Sequence, residues 1–128
     1  MSQSALDTAS ALDLRAAMGQ MDGDAELLQE IVGIFIETGP EQLDAIAGAL
    51  AAGDAAQVSL VAHGMKGGAS NLCAGRFVAS ARELELSAKR GSLAGAAGLL
   101  ARMRADFAEL VETAAVVDWG EVQRCWQD

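Results

Sequence analysis

From Asp24 onward, Leu27, Leu28, Ile31, Ile34, Phe35, Leu43, Ile46 and Leu50 recur at separations of three, four and their sums, the spacing that brings side chains to one face of a helix. The stripe predicts a long amphipathic helix. Gly39-Pro40 falls inside it, and a proline lacks the backbone donor and crowds the carbonyl four residues back, here that of Ile36. A kinked helix, or two helices meeting there, is therefore expected. Gly53 closes the segment, and Asp54 is a natural cap for a second helix over Ala55–Asn71 with Val58, Ala62, Met65, Ala69 and Leu72 as its buried stripe. A break at residues 73–75 leads to a third helix up to Arg90, with Phe77, Ala81 and Leu84 facing inward. Gly91 ends it, and Ser92 caps a fourth helix running to about Thr113. Ahead of these, Asp13 caps a short helix through about Met18 that residues 19–23 interrupt.

Four amphipathic helices joined by connections of a few residues are antiparallel neighbours. The expected fold is all-α: an antiparallel up-and-down four-helix bundle, with the short N-terminal helix over one end and a possible short C-terminal helix. Residues 1–12 are read as a flexible N-terminus, 13–115 as the bundle, and 116–128, which hold both tryptophans, as a tail or short docked helix. β-branched residues are few and never alternate with polar ones over a strand's length. A chain of 128 residues fits one domain and can bury a core without metal or disulfide staples. Only Cys73 and Cys125 are present and no charged-then-apolar leader follows Met1, so a reducing, cytoplasmic setting is expected. No apolar run is long enough to cross a bilayer.

Charge changes the picture by its distribution. The net charge is −9, and residues 1–62 carry ten carboxylates against Arg15 alone, while the remainder balances eight against eight. Most of these acids are read as a solvated face. Neither nucleic acid nor an anionic membrane is an expected partner, because phosphate backbones select clustered Lys and Arg.

The one histidine, His63, lies on the side of its helix away from the apolar stripe, with Ser59, Leu60, Lys66, Gly67 and Ser70 as helical neighbours. Gly64, Gly67 and Gly68 crowd the same stretch, although each glycine costs a helix interior about 1 kcal/mol relative to alanine. Their presence suggests that something large approaches the imidazole closely. Lys66, one turn on, puts a cation where a negative group added to His63 would sit. Other readings stay open on spacing alone. A surface histidine need have no role, glycines can serve helix packing, and a metal site needs partners this helix lacks. No strained nucleophile turn, oxyanion loop, phosphate-cradling loop or kinase signature occurs.

The segment HGMKGGASNL, preceded by ALAAGDAAQVSLVA and followed by AGRFVASARELELSAKRGSL, closely resembles the histidine-containing phosphotransfer (HPt) domains of two-component phosphorelays. The similarity runs over about residues 27–110 and includes FIETGPEQLDAI around the proline. It implies that His63 is the phospho-acceptor, Lys66 the family's cation and Gly67 the small residue that leaves room for a partner. Gly68 stands where the family often has Ser or Ala, and Cys73 where a helix-closing Gly is usual. The implied chemistry is reversible phosphoryl exchange between His63 and a receiver-domain aspartate, with Mg²⁺ on the receiver and no cofactor on this chain. Such a protein is a phosphoryl carrier and not an autonomous enzyme; its partners are response-regulator receiver domains or a hybrid histidine kinase, and a monomer is expected. The receiver is expected to cover Leu60, Gly64, Gly67 and Ser70, with apolar residues of the preceding helix contributing. A competing reading is a helical interaction module that uses the same face without phosphotransfer; such a module would be expected to lack His63 or Lys66.

One expectation follows from hairpin arithmetic. If the turn between the helices centres on Cys73 and Ala74, His63 stands level with about Leu84, and Glu85 is the adjacent polar position. Glu85 then flanks the helix of His63 and can accept a hydrogen bond from Nδ1, presenting Nε2 outward. The alternatives are a Glu85–Lys89 pair four residues apart or a solvated carboxylate.

Overall fold

The computed structural model describes residues 11–127, and among these it contains six helices and no strand. They are α1 (Leu14–Gln20), α2 (Ala25–Ala51), α3 (Ala55–Asn71), α4 (Gly75–Lys89), α5 (Ala96–Ala115) and α6 (Trp119–Gln127). Four starts are set by aspartate caps, that of α6 by Asp118, whose carboxylate accepts the Glu121 N–H at 3.0 Å. The carboxylates of Asp13, Asp24 and Asp54 accept the backbone N–H of Ala16, Leu27 and Gln57 at 3.1, 3.0 and 3.1 Å, each worth about 1 kcal/mol.

Each helix of α2–α5 packs against its neighbour in sequence, and α5 returns to α2. Asp44 of α2 pairs with Arg104 of α5, whereas Gly39 abuts Phe107. Residue number therefore rises along one helix as it falls along the other, so α2 and α5 are antiparallel. The core converges on Phe35, whose ring meets Phe77 of α4 edge-on at 5.4 Å and Phe107 of α5 at 5.7 Å. Among the described residues, no helix is long and apolar enough to cross a membrane.

Some expectations hold and others need correction. Of the two arrangements expected at Gly39-Pro40, the structure has the single long helix: α2 runs unbroken over 27 residues. Gly39 is buried against Phe107, and a Cβ there would overlap the ring; burial on both sides of Pro40, through Phe35 and Leu43, holds the helix across the missing donor. The buried stripe is Ala25, Leu28, Val32, Phe35, Gly39, Leu43, Ile46 and Ala49. Leu27 and Ile34, assigned to the core from spacing, are 40% and 60% exposed, because the stripe that faces α3 and α5 is narrower than the apolar pattern. Ser92 caps no helix. Gly91 and Gly95 both adopt left-handed backbone (φ 76° each), α5 starts at Ala96, and Ser92 instead exchanges hydrogen bonds with Ser87. Of the expected loose N-terminus, residues 1–10 lie outside the described residues, whereas Ala11 and Leu12 are buried.

The α3–α4 turn has the geometry of a glycine-closed helix without the glycine. Cys73 takes the left-handed position (φ 54°) and the Ala74 N–H reaches back to the Ala69 carbonyl at 3.1 Å. A side chain in that region costs about 1–2 kcal/mol. Burial of Leu72 and Ala74 on either side stabilises the turn, and the Asp13 N–H donates to the Cys73 carbonyl, which ties the start of α1 to this end of the bundle.

Helix α6 docks at the α1–α2 turn by specific contacts. The Gln123 amide accepts the Ala25 N–H at 2.9 Å and donates to the Gly23 carbonyl at 2.8 Å. Val122 and Cys125 are buried, and Trp126 covers Gly23, where a Cβ would overlap the indole.

Candidate functional site

His63 projects from the outer face of α3 with 65% of its side chain exposed. Val58, Ala62, Met65, Ala69 and Leu72 point inward and are at most 1% exposed, so the imidazole faces solvent. Its Nδ1 lies 2.7 Å from Oε2 of Glu85. Glu85 comes from α4, one residue beyond the core residue Leu84, and is itself 2% exposed.

Three nitrogen groups meet this carboxylate. Lys66 Nζ donates to Oε1 at 2.6 Å, and Lys89 Nζ lies 3.2 Å from Oε2, which also faces His63. The Lys66 hydrogen bond, helped by those of Lys89 and His63, outweighs burial and holds the Glu85 carboxyl down at about 2. Glu85 is therefore ionised at neutral pH and can only accept hydrogen bonds. It follows that Nδ1 carries the proton, and in the neutral ring Nε2 keeps its lone pair and points away from Glu85.

The surroundings of the ring divide the residues singled out by sequence into two groups. Gly64 and Gly67 are exposed, and a Cβ on either would meet nothing within 4 Å, so neither glycine serves packing within the chain. Leu60 is 65% exposed beside them, and Ser70 is exposed further along α3. Gly68 differs from the other glycines: a Cβ there would press on the Phe35 ring at 3.2 Å, so it serves the approach of α3 to α2. Ser59 is buried rather than displayed, at 8% exposure. Lys66 is engaged by Glu85 and only 26% exposed, not a free ammonium beside the ring.

Two residues beside the site were given other places by the sequence reading. Ile34 lines a groove with Phe35, Thr38, Gly64 and Gly68 between α2 and α3; its apolar character at helical spacing disguised it as core. Lys89 joins His63, Glu85 and Leu60 along the α3–α4 groove. Its signal was the four-residue separation from Glu85, and the structure has Glu85 paired with Lys89 and His63 together. Among the described residues, no group of three or more His, Cys, Asp or Glu side chains is arranged to hold a metal ion.

The sequence profile of the Hpt domain matches residues 30–113. The crystal structure of histidine-containing phosphotransfer protein B (HptB) from Pseudomonas aeruginosa PAO1 is similar to this chain with a TM-score of 0.78 and 32% sequence identity, over 91% of this chain and 98% of that one. No curated protein sequence matches the chain.

Proposed function

The chain belongs to the Hpt domain family, whose members carry phosphoryl groups on histidine in phosphorelays, and from that membership we propose that His63 is the acceptor, taking the group from a receiver-domain aspartate and passing it on. The observation that carries the assignment is the hydrogen bond from Nδ1 to buried, ionised Glu85. It directs the Nε2 lone pair outward, where a receiver can meet it.

In the transfer, Nε2 attacks phosphorus in line with the aspartyl oxygen. The N–P bond forms, the P–O bond breaks, and its electron pair returns to the aspartate carboxylate. The ring keeps its Nδ1 proton and becomes a phosphoimidazolium, whose positive charge Glu85 stabilises through the same hydrogen bond. Lys66, one turn along α3, is the cation for the phosphoryl oxygens. Reversal of these steps delivers the group to a second aspartate. Mg²⁺ stays with the receiver in this reading, since both oxygens of Glu85 are taken by nitrogen donors.

The receiver docks over Leu60, Gly64 and Gly67, with exposed Ile34 of α2 adding apolar contact. The protein is a cytoplasmic, monomeric phosphoryl carrier without its own ATP site. Mixing it with receiver domains charged by acetyl phosphate and following acid-labile label tests the assignment. Label moves to the parent and not to a folded His63→Gln variant; retained labelling of that variant refutes the role of His63.

A further inference from the structure

Glu85 has two lysines, although one would neutralise it. Lys66 Nζ holds Oε1 at 2.6 Å, and Lys89 Nζ stands 3.2 Å from Oε2 on the same helix as the carboxylate. Because Nδ1 faces Glu85, Nε2 and anything bonded to it lie on the far side of the ring. A Lys66 ammonium drawn toward phosphoryl oxygens there loosens its bond to Oε1. Glu85 is 2% exposed, and a buried carboxylate stripped of its closest cation turns protonated or shifts, losing its hold on Nδ1.

We infer that Lys89 is a positioning residue that takes over Glu85 when Lys66 turns to the phosphoryl group, keeping the carboxylate ionised and the His63 ring oriented through the transfer. The inference rests on the reading of His63 as the acceptor. Its chain of contacts is short: Lys89 already touches the oxygen that His63 uses, and at 59% exposure it is free to close on Glu85 without disturbing the core. Charge counting points the same way. With ionised Glu85, both lysines and a neutral ring, the resting site has one net positive charge. Adding a phosphoryl dianion and the imidazolium charge makes it neutral. Without Lys89 the same step would leave a net negative site around a buried carboxylate.

A partner-free assay separates this inference from the docking questions. Potassium phosphoramidate phosphorylates the 128-residue chain directly: its P–N bond breaks, ammonia leaves, and the N–P bond forms at Nε2. The charged fraction at equilibrium is read as the phosphohistidine ³¹P signal, with ring ¹⁵N shifts reporting the Nδ1 proton. Lys89→Met should lower the equilibrium constant about three- to fivefold, the range for a partly exposed ion pair, and Lys89→Arg should restore it. In a Lys66→Met background Glu85 depends on Lys89 before and after charging, so the effect of Lys89→Met should fall below about twofold. Thermal unfolding of each variant separates loss of fold from loss of charging. Parent-like charging of folded Lys89→Met, or the same loss in both Lys66 backgrounds, overturns the hand-over while leaving the acceptor assignment intact. A parent that gives no His63-dependent phosphohistidine overturns both.

Discussion

Replacing Glu85 by glutamine keeps the shape of the side chain and removes its charge, in a position 2% exposed and bonded at 2.7 Å to His63 and 2.6 Å to Lys66. The folded-state pKa is lowered from 4.5 to about 2, which corresponds to about 3 kcal/mol of preference for the ionised form. Solvent around Lys66 and Lys89, 26% and 59% exposed, screens part of this, leaving roughly 2 kcal/mol. The sign follows from the lowered value. The contribution is fully present above pH 4.5, declines as pH falls, and is gone below about pH 2. Urea unfolding of parent and Glu85→Gln should therefore differ by roughly 2 kcal/mol at pH 7, with the gap closing between pH 4.5 and 2. Groups that titrate alike in both proteins cancel in the difference. Ring ¹⁵N spectra supply a second readout: the parent holds its proton on Nδ1, whereas the glutamine amide, able to donate or accept, relaxes that preference. Equal stabilities at pH 7, or a gap unchanged by pH, would refute the argument that the ionised carboxylate stabilises this site.

Gly67→Ala should raise stability by about 1 kcal/mol in thermal unfolding, since it removes a helix-interior glycine whose Cβ direction is open. Gly67→Arg should instead weaken receiver binding tenfold or more by calorimetry; undiminished affinity would remove this face from the docking surface. Gly39→Ala should destabilise the fold by about 1–3 kcal/mol, because its methyl would enter the Phe107 ring. Gln123→Ala breaks both amide bonds to the α1–α2 turn and should cost about 1–3 kcal/mol, seen as faster hydrogen exchange at the Ala25 amide.

What could be read from the sequence was what neighbours along the chain decide. A carboxylate caps the N–H groups three residues ahead, so Asp13 and Asp54 announced their helices, and α3 has the bounds that its caps and period implied. The outward direction of His63 follows from the same period, and counting back from a short turn put Glu85 within its reach, because an antiparallel hairpin of helices has little freedom of register. Residues distant in the chain decided the rest. Leu27 and Ile34 fit the helical spacing yet are exposed, because the width of a buried stripe depends on where two other helices lie. Gly39 and Gly68 look like Gly64 and Gly67 in sequence; only the positions of Phe107 and Phe35 separate glycines that let helices touch from glycines that leave a surface bare. Glu85 follows the same rule. Its spacing allowed Lys89 or His63 as partner, and its burial, a property of the packed bundle, gathers both together with Lys66 on one carboxylate, since an ionised group removed from water must take its compensation from every donor within reach.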